Sequence, residues 1–151
     1  MAITGTAAAL RAATRQRTVL VVEDEAAIRD LLRLHLRNAG YSVVVAEDAI
    51  EAGKRLLENP SDFDLIVIDA QLPYLSGIEF ASTLIADTTL PALPIILITG
   101  HEELVPRAER LDVPCLVKPF SAQRFISLVE STAGTPDTAA AIVEARGRLS
   151  A

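Results

Sequence analysis

The chain has 151 residues, half of them hydrophobic, which is enough for one compact domain and too few for a second of similar size. Fourteen basic residues against twenty acidic ones give a net charge of −6, which disfavours nucleic acid or an anionic membrane surface as a general electrostatic partner. One cysteine, Cys115, excludes an internal disulfide framework and fits a reducing, cytoplasmic setting, and no apolar run approaches the roughly 20 residues that span a bilayer.

Residues 1–17 carry Arg11, Arg15 and Arg17 with no acid, lack the apolar stretch of a secretory signal, and read as an N-terminal leader. From Thr18, short β-rich runs alternate five times with segments of helical periodicity, the pattern of an α/β fold around a parallel sheet. The first strand is predicted over 18–23. A helix over 25–38 follows, with Ile28, Leu31, Leu32, Leu36 and Ala39 as its inward stripe and Gly40 ending it. A strand over 41–46 leads to a second helix over 48–58, with Ala49, Ala52, Leu56 and Leu57 facing inward and Asn59-Pro60 stopping it.

The third and fourth strands, 64–69 and 94–98, are almost continuously apolar, as expected of strands covered on both faces, and a helix over 77–87 lies between them. A short helix at about 103–111 precedes the fifth strand at 113–117. The last helix is predicted from about 122 to 131 behind Ser121 as N-cap, with Phe125, Leu128 and Val129 buried. Residues 133–151 form a tail in which Thr135-Pro136-Asp137 reads as a helix start. That tail is too short for an output domain.

Open α/β sheets bind ligands at the carboxyl ends of their strands, so the residues there matter most. The first strand ends in Glu23-Asp24, the third in Asp69, the fourth in Thr99-Gly100, and Lys118-Pro119-Phe120 follows the fifth. Three carboxylates, a hydroxyl and an ammonium are thus expected on one rim. Carboxylates so gathered raise one another's pKa values unless a cation intervenes, and all-oxygen ligation by few groups suits Mg²⁺. His35 and His101 are isolated, so no zinc-type constellation competes.

Four motifs, Val21-Val22-Glu23-Asp24-Glu25, Asp69-Ala70-Gln71-Leu72-Pro73 with Gly77, Leu97-Ile98-Thr99-Gly100, and Lys118-Pro119-Phe120, resemble those of response-regulator receiver domains. The resemblance covers about residues 18–132. It implies a flavodoxin-like (βα)5 fold with strand order 2-1-3-4-5, and a stand-alone module accepting phosphate in a histidine-to-aspartate phosphorelay. By the same resemblance Asp69 is the phospho-acceptor, while Asp24, Glu23 and the Gln71 main-chain carbonyl join it in holding Mg²⁺. Lys118 and Thr99 would contact phosphoryl oxygens. Gly100 leaves an open approach for the donor, and Gln71 and His101 flank the phosphoryl group. The implied donors are a histidine kinase or a histidine phosphotransfer protein, and the readout is contact with another protein, without direct nucleic-acid or membrane binding. Chemistry alone supports the assignment: a carboxylate is a competent nucleophile toward phosphorus, and phosphoryl transfer asks mainly for positioning and charge neutralisation.

The sequence also departs from the family. Cys115 stands three residues before Lys118, where an aromatic ring is usual, so a ring-based switch is missing. The segment from Thr99 to Lys118 is a few residues short, at the cost of the fourth helix. Signalling is therefore expected through the loop around residues 100–105, or through phosphate relay alone. A constitutive scaffold that keeps the fold without being phosphorylated is the competing reading. A phosphohydrolase is disfavoured because Gln71 occupies the place where that chemistry needs an acid.

Overall fold

In a computed structural model, which describes residues 16–134, the alternation resolves into five strands and five α-helices. They are β1 (Thr18–Val22), α1 (Ala26–Asn38), β2 (Ser42–Ala46), α2 (Ala49–Glu58), β3 (Leu65–Asp69), α3 (Gly77–Ala86), β4 (Ile95–Thr99), α4 (Val105–Arg110), β5 (Cys115–Val117) and α5 (Ala122–Ala133). Every pairing is parallel, and the strand order is β2-β1-β3-β4-β5. The predicted fold is therefore the one observed. The expected leader, apart from its last two residues, and the tail helix lie outside the described residues.

Successive strand residues point to opposite faces, so the apolar runs of the central strands feed two cores at once. Val19, Val21, Leu65, Val67, Ile96 and Ile98 pack under α1 and α5 with Leu32, Leu36, Phe125 and Val129. Leu20, Val22, Ile66, Ile68 and Leu97 pack under α2, α3 and α4 with Ala52, Leu56, Phe80, Ala81 and Ala108. All of β3 and β4 is buried. Each buried Val, Leu or Ile is worth about 1.5–3 kcal/mol, so these strands form the rigid floor on which their carboxyl ends are presented.

Two inward assignments are corrected. Leu31 is 51 % exposed and Leu57 is 73 % exposed. A helix lying on a flat sheet buries a stripe narrower than its apolar face; in α1 Leu32 and Leu36 fill that stripe, and Leu57 lies in the last turn of α2. Ile28, Ala39 and Leu128 are half-buried at the stripe's margins. Gly40, just past α1, takes φ 98, the left-handed geometry that glycine tolerates at a helix end.

The segment before β5 is compressed as predicted. A 3-10 turn (Glu102–Leu104) runs into α4, which has only six residues, and Asp112 at φ 57 turns the chain back toward the sheet. The fifth strand is shorter than its predicted 113–117, since Val113 is buried outside the ladder and Pro114 supplies only a carbonyl, to Leu97 N.

Candidate functional site

The sheet brings its distant acids together because β1 and β3 are neighbours and end at the same level. Glu23, one residue past β1, continues the ladder by donating its N–H to the Ala46 carbonyl at 3.1 Å, and its side chain is buried. Asp24, the next residue, is exposed at the rim. Asp69 closes β3 opposite Ile98 of β4 and is buried. Carboxylate oxygens of Glu23, Asp24 and Asp69 lie within 4.8 Å of one another.

Lys118 enters from the far side of the sheet. Its main-chain N–H donates to the Thr99 carbonyl at 2.7 Å, which fixes the residue past β5 at this rim. Its Nζ reaches Asp69 Oδ2 at 2.7 Å and Glu23 Oε2 at 3.2 Å. Asp69 Oδ1 in turn accepts the Gln71 N–H at 2.8 Å, and Glu23 Oε1 accepts the Glu25 N–H at 3.2 Å. The cluster therefore has two carboxylates spanned by a single ammonium and a third open to solvent.

Burial, together with contact with Asp69, pushes the Glu23 carboxyl up to about 8, although the Glu25 N–H and Lys118 pull the other way. For Lys118 burial acts to lower the pKa, but the bonds and charges of Asp69 and Glu23 outweigh it and hold the ammonium above its ordinary value. Burial leads the Glu23 shift, whereas at Lys118 the two carboxylates together overcome burial.

The remaining predicted residues surround this centre without all touching it. Thr99 is fully buried at the end of β4, and its hydroxyl accepts the His101 N–H at 3.0 Å and faces the His101 carbonyl at 3.3 Å. Gly100 borders open space. His101 is exposed and places Nδ1 3.1 Å from Glu103 Oε1. The Gln71 side chain is exposed. Cys115 is half-buried against the core beneath α2, α3 and α4; burial, then the charge of Glu109, raises its thiol pKa. A cleft of about 440 Å³ beside the start of β4, lined by Leu56, Pro60, Leu84, Ile85 and Leu93, offers one carboxylate, Asp87, and lies at the opposite edge from this chemistry.

Sequence reasoning passed over Arg29. Its guanidinium Nη1 donates to the Glu23 main-chain carbonyl at 3.0 Å, and Nη2 lies 3.6 Å from Glu47 Oε1. An arginine on the helix predicted next to an acidic pair was the signal available, though most helical arginines are solvated.

Residues 19–130 match the response regulator receiver domain family. The chain belongs to that family. Among curated relatives, the receiver is 33 % identical over 118 residues to the phosphate regulon transcriptional regulatory protein PhoB of Pseudomonas aeruginosa, covering 76 % of this chain and 51 % of that one. It is 34 % identical over 121 residues to the transcriptional regulatory protein ResD of Bacillus subtilis, covering 78 % and 48 %. The chain thus spans about half the length of these relatives.

Among solved structures, the receiver superposes on the chemotaxis protein CheY4 of Vibrio cholerae with a TM-score of 0.69 and 26 % identity, over 78 % of this chain and 99 % of that one. The response regulator TrrA of Thermotoga maritima, in complex with Mg²⁺-BeF, gives 0.68 and 28 %, over 76 % and 97 %. The receiver is accordingly a signalling domain of the two-component class, and its acidic trio is typical of the family's phosphorylation site. No helix among the described residues is long and apolar enough to cross a membrane.

Proposed function

We propose that this receiver accepts a phosphoryl group on Asp69 in a Mg²⁺-dependent reaction. The observation that carries the reading is the 2.7 Å contact between Asp69 and Lys118 inside a cluster of three carboxylates. The donor set fits a hard divalent cation: the ligands are all oxygen, and three carboxylates gather where Lys118 supplies one ammonium. Glu23, Asp24, Asp69 and the Gln71 main-chain carbonyl would hold Mg²⁺. Bound there, it would supply positive charge to the oxygens of the transferring group.

The chain's own residues do the rest. An Asp69 carboxylate oxygen attacks phosphorus as the donor's N–P bond breaks, the donor being a phosphohistidine of a histidine kinase or phosphotransfer protein. Lys118 shifts its ammonium from the carboxylate to a phosphoryl oxygen. The Thr99 hydroxyl turns its proton from the His101 carbonyl to a second oxygen, and Gly100 keeps the approach open. Gln71 and His101 flank the product and set how readily water removes it, so turnover is limited to self-catalysed gain and loss of phosphate. PhoB and ResD are named as transcriptional regulatory proteins. For this chain, with its net charge of −6, we favour contact with proteins in the cytoplasm over contact with nucleic acid, and we place the module at 18–132 with flanking leader and tail.

Incubation with Mg²⁺ and acetyl phosphate, followed by intact-mass measurement, tests the reading. The expected product is heavier by about 80 Da and absent with Asp69→Asn or with EDTA. An unmodified wild-type chain would overturn it and leave the constitutive scaffold.

A further inference from the structure

The geometry points to Arg29 as the positioning residue of the acidic loop, the group that fixes where Glu23 and Asp24 present their carboxylates. This inference rests on the Mg²⁺-dependent reading above, and extends it to a residue outside the cluster. Helices α2, α3 and α5 each begin with a side-chain cap: Asp48 accepts the Glu51 N–H, Ser76 that of Glu79, and Ser121 that of Arg124. Helix α1, whose start follows the acidic pair, has no such cap and no acid in its first turn. The loop from Glu23 to Glu25 therefore lacks the restraint the other long helices use.

The loop's ends are anchored by the Glu23 N–H on the Ala46 carbonyl and the Arg29 N–H on the Glu25 carbonyl, and Lys118 grips the Glu23 carboxylate; two further bonds act on the loop itself. One is the Glu23 carboxylate accepting the Glu25 N–H at 3.2 Å, a long bond from a group that a bound cation would also draw upon. The other is Arg29 Nη1 donating to the Glu23 main-chain carbonyl at 3.0 Å. Helical side chains lean toward the N-terminus, so an arginine in the first turn of α1 reaches back over that turn to the loop. The Arg29 side chain is 14 % exposed, against 36 % for Arg33 on the same helix, which sets it apart from a solvated cation.

The choice of acceptor matters. By bonding the carbonyl, Arg29 leaves both carboxylates to the cation and Lys118. Because the peptide unit is planar, holding the Glu23 carbonyl also sets the plane that carries the Asp24 N–H and α-carbon, the point from which the Asp24 side chain departs. The lateral contact to Glu47 at 3.6 Å, with Glu47 70 % exposed, is too weak and too solvated to supply the restraint.

Two measurements on Arg29→Ala and Arg29→Lys test this. In EDTA, amide exchange at Asp24 and Glu25 should quicken severalfold in Arg29→Ala while exchange in β3 stays unchanged, with Arg29→Lys intermediate. Calorimetric Mg²⁺ affinity should fall about tenfold in Arg29→Ala, the loss typical of groups that orient metal ligands. Glu47→Gln should leave both within about twofold. Should Arg29→Ala not fold, Arg29→Met and Arg29→Lys carry the same comparison. Unchanged loop exchange in EDTA, or a Glu47→Gln effect equal to that of Arg29→Ala, would overturn the inference. A wild-type chain that binds no Mg²⁺ would instead overturn the proposed function, and the exchange comparison would still decide the role of Arg29.

Discussion

The α-carbon of Gly77 lies so close to the main-chain carbonyl of Asp69 that a methyl group added there would overlap the oxygen. The Gly77 N–H also donates to the Ala70 carbonyl at 2.9 Å, so the start of α3 is docked directly on the end of β3. Gly77→Ala should therefore destabilise the protein by about 1–3 kcal/mol. It should also slow adduct formation by displacing the Asp69 backbone. Urea unfolding and the rate of mass gain with acetyl phosphate check the two effects, and a variant matching wild type in both would show that the backbone yields freely.

Metal-free protein should lose stability as pH rises from the acidic range toward about 8. Burial first, and then Asp69, raise the Glu23 carboxyl to about 8 from an ordinary value of 4.5. Between those values the folded chain holds a proton that the unfolded chain has released, so unfolding free energy declines as pH rises from about 4.5 through 8. Melting temperatures in EDTA across this range should fall, and Glu23→Gln should flatten that part of the slope. Saturating Mg²⁺ should flatten it too, because it neutralises the group.

To donate to a phosphoryl oxygen the Thr99 hydroxyl must turn its proton away from the His101 carbonyl, 3.3 Å away, while it goes on accepting the His101 N–H at 3.0 Å. The same carbonyl accepts the Leu104 N–H at 3.0 Å, so the contact that Thr99 gives up lies at the 3-10 turn ahead of α4. Amide shifts with Mg²⁺ and beryllofluoride should change across residues 100–105. Changes limited to the outer face of β5, with that loop still, would refute the route.

Gln71 and His101 are exposed beside Asp69 and Thr99. Replacing either with Ala should alter the lifetime of the phosphorylated form, followed by decay of the mass adduct. Equal decay in both variants and wild type would remove them from the site.

Far from the rim, the Tyr41 hydroxyl donates to the Gly134 carbonyl at 3.0 Å and ties the start of β2 to the end of α5. Burial, then the charge of Glu130, pushes this phenol up to about 12, so it stays a donor at any ordinary pH. Tyr41→Phe should cost about 0.5–1.5 kcal/mol in urea without affecting phosphorylation. An unchanged midpoint would mean that the bond contributes nothing net.

Much of this was legible in the residues because the strands are buried on both faces and advertise themselves as apolar runs ending in charge. Glu23, Asp24, Asp69 and Lys118 were found from their positions at strand ends, and parallel pairing brought them together. Leu31 and Leu57 were misjudged because helical periodicity marks an apolar face but not how much of it a flat sheet can cover. Arg29 escaped notice for another reason: its acceptor is a main-chain carbonyl, which carries no side-chain signature. The engagement of Thr99 with His101 was equally silent, since it depends on loop geometry and not on residue type.

The ion pair between Lys118 and Glu23 joins residues 95 positions apart, and that with Asp69 joins residues 49 apart. Both acids leave the ribosome long before the ammonium that pairs with them. A nascent chain halted before β5 holds its acids without their lysine, so it cannot complete this centre. The pairing of Lys118 with both carboxylates can then form only once the last strand has been made.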